Sequence, residues 1–79
     1  MMTKAKQPIK ESLTPDPDGA RFLFFTAENY RPGSVSVWLN GIRLIEAWED
    51  GFVEEGDNEV RMLEAPLTGD SLQVEYEPE

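Results

Sequence analysis

Seventy-nine residues with no cysteine and no histidine make one small domain whose core no disulfide can staple, and they leave neither thiolate nor imidazole for a metal site. Sixteen acidic residues against seven basic ones give a formal net charge of −9, which repels nucleic-acid phosphates and anionic membrane surfaces alike, so neither is an expected partner. No apolar run approaches the roughly 18 residues of a membrane helix, and the first residues lack the apolar stretch of a signal peptide.

In chain order, residues 1–19 hold Pro8, Pro15 and Pro17 and show neither helical nor alternating apolar spacing. That composition predicts a flexible, disordered or extended arm attached to a β domain spanning residues 20–79. Charge divides near the same place, since residues 1–12 sum to +2 and residues 13–79 to −11. A basic arm on an acidic body is expected to order only on a neighbouring subunit, so its removal should leave the β fold intact. Pro15, Pro17 and Gly19 close the arm, because each proline drives the residue before it out of the helical region and the glycine frees the following turn.

Residues 20–26 place Phe22 and Phe24 on one face of an extended segment and Leu23 and Phe25 on the other, the pattern of an inner strand covered on both sides. Pro32 and Gly33 then occupy the second and third positions of a type II turn. Residues 34–45 carry the strongest signal in the chain: two β-type runs separated by Asn40-Gly41, the pair favoured in a type I′ hairpin. That register sets Leu39 against Ile42, Val37 against Leu44 and Val35 against Glu46 on a core face. Trp38 against Arg43 and Ser36 against Ile45 lie on a mixed face. The second arm is expected to run to about Trp48, with a bulge or twist near Glu46 where Leu44-Ile45 breaks alternation. Turns at residues 49–51 and 55–58 bound a short strand, and Val60 and Met62 of the next one should face inward. Gly69 and Asp70 form the last turn, before a strand with Leu72, Val74 and Tyr76 on one face. The whole reads as all-β: a small antiparallel sandwich or open barrel of five to seven short strands, with no amphipathic helix.

The residues offer little chemistry. Serines have no histidine beside them, lysines are confined to the arm, and the acids sit at solvated turn tips, so no catalytic residue is expected and the protein reads as no enzyme. Glu49, Asp50, Glu54, Glu55, Asp57 and Asp70 match no calcium-loop spacing and read as solvated turn residues; no metal and no cofactor is expected. Trp38, Arg43 and Trp48 are the candidates for contact with another molecule. The two tryptophans suit intramolecular cover, a protein interface or a sugar-stacking platform, with a cation–π pair between Trp38 and Arg43 as the modest account.

Taken together, Tyr30-Arg31-Pro32-Gly33-Ser34, the run from Val35 through Trp38, Asn40 and Gly41 to Leu44, then Gly51-Phe52, Ala65-Pro66, Gly69-Asp70 and Val74-Glu75-Tyr76 resemble a β-sandwich module of tailed-bacteriophage virion proteins. The likeness spans residues 22–76 and departs from the module at Gly51-Phe52, where Asp-Tyr is more usual. It implies a structural, non-enzymatic component of the particle: tail, neck, baseplate, fibre or capsid decoration. Such a component would be made in the bacterial host cytoplasm and located in the virion, with other virion proteins or a homo-oligomeric, symmetric array as partners. No functional residue is carried over, since Pro32, Gly33, Asn40, Gly41, Gly69 and Asp70 are turn formers. The alternatives are a carbohydrate-binding module meeting a host glycan through Trp38 or Trp48, and an acidic mimic of nucleic acid.

Overall fold

The computed structural model describes residues 7–79, and those residues form seven strands in two antiparallel sheets and no helix. The strands are β1 (Ile9–Ser12), β2 (Leu23–Phe25), β3 (Ser36–Leu39), β4 (Ile42–Arg43), β5 (Phe52–Glu54), β6 (Glu59–Met62) and β7 (Leu72–Tyr76). One sheet has the order β1-β7-β3-β4 and the other β2-β6-β5. Their inner faces meet in one core: Val37, Leu72, Val74 and Tyr76 from the first sheet lie against Phe24, Phe52, Val60 and Met62 from the second. The small all-β sandwich expected from turn spacing is therefore the fold, and it remains open along the β4 and β5 side.

The central hairpin closes as its sequence dictates. Asn40 and Gly41 both take positive φ, 52° and 83°, the type I′ conformation. Leu39 pairs with Ile42 and Trp38 with Arg43, while the Leu44 amide still donates to the Val37 carbonyl at 2.8 Å. Beyond Leu44 the expected pairing ends. Instead of continuing to Trp48 opposite β3, the chain leaves the sheet: Glu46 bridges Phe52 of the other sheet in parallel, and the Ala47 amide donates to the Phe52 carbonyl. Ala47 carries the distortion expected near Glu46, at φ 61°. The Val35–Glu46 and Ser36–Ile45 pairs consequently do not form. No Cβ at Gly41 would meet an atom within 4 Å, so Gly41→Val is strained by its φ alone. A loss of roughly 1–3 kcal/mol in a denaturant melt is the expected result.

The arm is the main correction. Ile9–Ser12 form an edge strand, Ile9 opposite Tyr76 and Ser12 opposite Gln73, and Leu13 is 1% exposed in the core. Thr14 then crosses to the second sheet, exchanging backbone hydrogen bonds with Phe25 at 3.1 and 2.7 Å. The boundary between an arm at 1–19 and a domain at 20–79 therefore does not exist at that position. Ile9, Glu11 and Leu13 do alternate inward, but the charge on Glu11 hides the pattern in the sequence. Lys4 and Lys6, also assigned to the arm, lie outside the described residues.

β2 differs too, because it is an outer strand of its sheet rather than an inner one. Among the described residues, the Thr14 bridge and the Arg21 guanidinium, which donates to the Leu23 carbonyl, cover its far edge. Phe24 is fully buried, Leu23 and Phe25 are half-buried, and Phe22 is exposed. β6 holds the centre of the sheet with Val60 and Met62 inward, and β7 does so in the other with Leu72, Val74 and Tyr76.

Candidate interaction surface

The turn residues work in pairs that lie far apart in sequence. Gly33, at φ 86°, lets the Ser34 amide close onto the Arg31 carbonyl at 3.0 Å, completing the Pro32-Gly33 type II turn. The same turn is held from the opposite sheet, since the Glu54 carboxylate accepts the Gly33 amide at 2.8 Å and the Val35 amide at 3.2 Å. At the other end, Gly69 takes φ 91° and the Asp70 carboxylate accepts the Leu67 amide at 2.9 Å and the Asn40 side-chain amide at 3.1 Å. Asn40 in turn exchanges hydrogen bonds with Ser71, its Oδ1 taking the Ser71 amide and its own amide reaching the Ser71 carbonyl, both at 2.8 Å. The hairpin tip and the turn entering β7 are thus one interlocked unit. Glu54, Glu55 and Asp70 are correspondingly not idle solvated acids, because Glu55 also pairs with Arg61 at 3.0 Å.

Under the Pro32-Gly33 end sit two tyrosines, Tyr30 and Tyr76, edge to face with ring centroids 6.5 Å apart. Tyr30 donates its hydroxyl to the Glu59 carbonyl at 2.6 Å, and Tyr76 donates to the Glu11 carboxylate at 3.1 Å while accepting the Glu28 amide at 3.2 Å. Burial, with the Glu54 charge second, pushes the Tyr30 hydroxyl up to about 12. Burial likewise raises Tyr76, its bond from the Glu28 amide opposing that shift. A raised folded-state value means that the neutral phenol stabilises the fold below the ordinary pKa of 10.0 and that this contribution disappears as pH climbs above it. Unfolding free energy should therefore fall by roughly 2–3 kcal/mol between about pH 10 and 12 on account of Tyr30, and Tyr30→Phe should flatten that slope. Guanidinium melts across the alkaline range decide the matter, and equal slopes in the two proteins would refute it.

The fold pairs Trp38 with Arg43 across β3 and β4 and sets Trp48 apart on the loop that follows. Trp38 lies on the outer face of its sheet between Arg43 and Gln73, half-buried, and lines a shallow depression with Lys10 and Glu75. It covers the sheet from outside and is no part of the core. The Arg43 guanidinium on its flank makes a long, 3.4 Å hydrogen bond to Ser36. Trp48 stands on the 44–51 loop with 60% of its surface in solvent. Around that loop the sandwich exposes further large apolar side chains, Ile42, Ile45 and Leu67, all more than 60% exposed. None of these three was a contact candidate in the sequence, although Ile45 interrupts the expected alternation.

The hairpin register predicts Ile42 on a core-facing side. It points instead over a groove of about 240 Å³ between the two sheets, walled by Leu39, Leu44, Met62 and Leu67. From the strands of the three-stranded sheet, Met62 is the side chain that lines the space. Glu46, Asp50 and Glu64 stand around the groove and its neighbouring hollow. Among the described residues, no three acids come close enough to hold a metal ion. No helix among those residues is long and apolar enough to cross a membrane. What this edge offers is an apolar surface bordered by negative charge. Compared with known proteins, the chain matches no family model, no curated protein and no solved structure.

Proposed function

We propose that the protein is a structural, non-enzymatic component of a bacteriophage particle, acting by assembly or attachment in a tail, neck, baseplate, fibre or capsid decoration. The observation that carries this reading is the uncovered apolar edge formed by Ile42, Ile45, Trp48 and Leu67, on a domain where the turn acids Glu54 and Asp70 hold backbone amides. Large exposed apolar residues clustered on a small acidic domain are a feature of surfaces that are covered by another protein. The resemblance to virion modules supplies the kind of assembly. Its Pro32-Gly33, Asn40-Gly41 and Gly69-Asp70 pieces all serve as turns of one sandwich, consistent with a shared scaffold rather than a shared active site.

Mass spectrometry of particles purified from the producing bacterium is the test. The protein should co-purify at a fixed ratio to the major capsid protein through a density gradient. Its absence from particles would remove the virion role. The exposed indole of Trp48 keeps a second reading in play, attachment to a host surface glycan. A glycan array read with the natural chain and with Trp48→Ala separates the two, because only a lectin-like surface would show a Trp48-dependent signal.

A further inference from the structure

The open edge between β4 and β5 has a chemistry definite enough to name what covers it. Backbone geometry comes first. In a two-residue hairpin the pairs alternate, so Leu39 and Ile42 face each other with hydrogen bonds, as do Val37 and Leu44, whose bond is 2.8 Å. Arg43, opposite Trp38 between them, therefore turns its amide and carbonyl away from β3, toward the open side of the outermost strand. Beside that free edge lies the groove floored by Leu39, Leu44 and Met62, with Ile42 and Leu67 as its lips.

Charge then selects the occupant. Asp50, Glu64 and Asp70 border the groove and Glu46 the adjoining hollow, and Arg43 is the one base among the residues lining either space. Asp70 is already engaged with Leu67 and Asn40, which leaves the exposed Asp50 and Glu64 carboxylates to face a visitor. A second copy of this chain would bring a net charge of −9 against the same rim, so self-association is opposed by repulsion. A long cationic side chain satisfies both parts of the site at once, its methylene stem on the leucines and its head beside the carboxylates.

We infer that this edge is the docking site for an extended, basic segment of another protein: one that adds to the β4 edge at Arg43 and seats an arginine or lysine stem, flanked by apolar side chains, in the Leu39/Leu44/Met62 groove. The inference rests on the assembly reading and gives that assembly its surface and its partner chemistry.

The test uses the full chain and a defined probe, the capped peptide Val-Arg-Val-Lys-Val, with Val-Glu-Val-Glu-Val as its counterpart. Backbone amide spectra should show the largest shift, and new protection from exchange, at Arg43 when the basic peptide is added. The acidic peptide should bind at least tenfold more weakly. Ile42→Ser with Leu67→Ser, which leaves the net charge unchanged at two solvent-exposed positions, should weaken the basic peptide roughly tenfold with an unaltered melting midpoint. Asp50→Asn with Glu64→Gln should do the same, whereas Glu28→Gln with Glu75→Gln, away from the groove, should not. Equal loss with both acid pairs, or no response at Arg43, would reduce the contact to diffuse attraction and overturn the proposal. Self-association of the free chain through Ile42 and Leu67 in sedimentation would overturn it as well. The two readings fail separately. Particles that incorporate the Ile42→Ser, Leu67→Ser chain at full occupancy would refute this surface and keep the virion role. Site-specific peptide binding by a chain absent from particles would refute the role and keep the surface.

Discussion

A chain lacking residues 1–14 is expected to lose its cooperative fold. Four consecutive pairs tie β1 to β7, from Ile9 opposite Tyr76 to Ser12 opposite Gln73, and the ladder continues through the Leu13 amide to the Leu72 carbonyl at 3.0 Å. Leu13 is 1% exposed, and truncating a leucine so buried costs roughly 2–5 kcal/mol by itself. The Glu11 carboxylate adds two further contacts, to the Tyr76 hydroxyl and to the Ala27 amide at 2.8 Å. Its removal would leave the buried Tyr76 hydroxyl without its acceptor. Thr14 then closes the far side of β2. Against these losses stands a total stability of only about 4–12 kcal/mol for a chain of this length. Residues 15–79 should therefore give a collapsed amide spectrum and no sharp thermal transition, with Leu13→Ala in the full chain falling between the two. A dispersed spectrum and a melt close to that of the full chain would show that β1 is an accessory strand.

That outcome would reverse what composition suggests, and the reason lies in Glu11. An apolar-polar alternation with a carboxylate at one inward position does not register as a strand, and three prolines within ten residues of it strengthen the look of a tail. Nothing local marks Glu11 as a hydrogen-bond partner of a tyrosine 65 residues away. By contrast, the hairpin was legible because its signal is entirely local. Asn40-Gly41 needs two positive φ values whatever surrounds it, and the flanking valines and leucines choose the face. The clean alternation of Leu72, Val74 and Tyr76 was readable for the same reason. Its place as an inner strand between β1 and β3 was not, since sheet order depends on long-range pairing.

The contact surface was legible only in part. Trp48 and Arg43 were identified as candidates, and both lie along the open edge. Ile42, Ile45 and Leu67 were assigned to the hairpin, or passed over, because an alternation rule presumes that a core-facing residue has something to face. Here a four-stranded sheet is packed on a three-stranded one, and the outermost strand faces a groove instead. Likewise the sequence sets Arg43 opposite Trp38 on a mixed face but leaves its other side without a neighbour. The ladder that puts Gln73 on one side and Arg43 on the other fixes it as outer cover.

Gly51→Ala should be the most damaging of the glycine substitutions, although nothing in its φ marks it. A Cβ there would lie 1.8 Å from the Ile45 carbonyl oxygen and 3.3 Å from that of Trp48, and the first of these distances is well inside any contact that real atoms tolerate. The loop has little freedom to yield. The Gly51 amide donates to the Trp48 carbonyl at 2.9 Å, its carbonyl accepts the Leu63 amide at 3.0 Å, and the neighbouring Ala47–Phe52 bond is 2.7 Å. Displacing the loop would also drag on Phe52, which is 2% exposed in the core. Overlap with backbone on both sides of a loop tied into the core should cost roughly 2–4 kcal/mol. Gly56→Ala supplies the contrast. Its Cβ would meet Glu59 Oε1 at 2.4 Å, but that atom ends a flexible side chain and can swing aside, so its melt should stay within about 0.5 kcal/mol of the natural protein. Thermal melts of the pair, with Trp48 emission as a reporter of the loop, give the comparison. If Gly51→Ala melted like Gly56→Ala with unchanged emission, the 44–51 loop would be free to move, and neither the strain argued here nor a preformed groove beside it would stand.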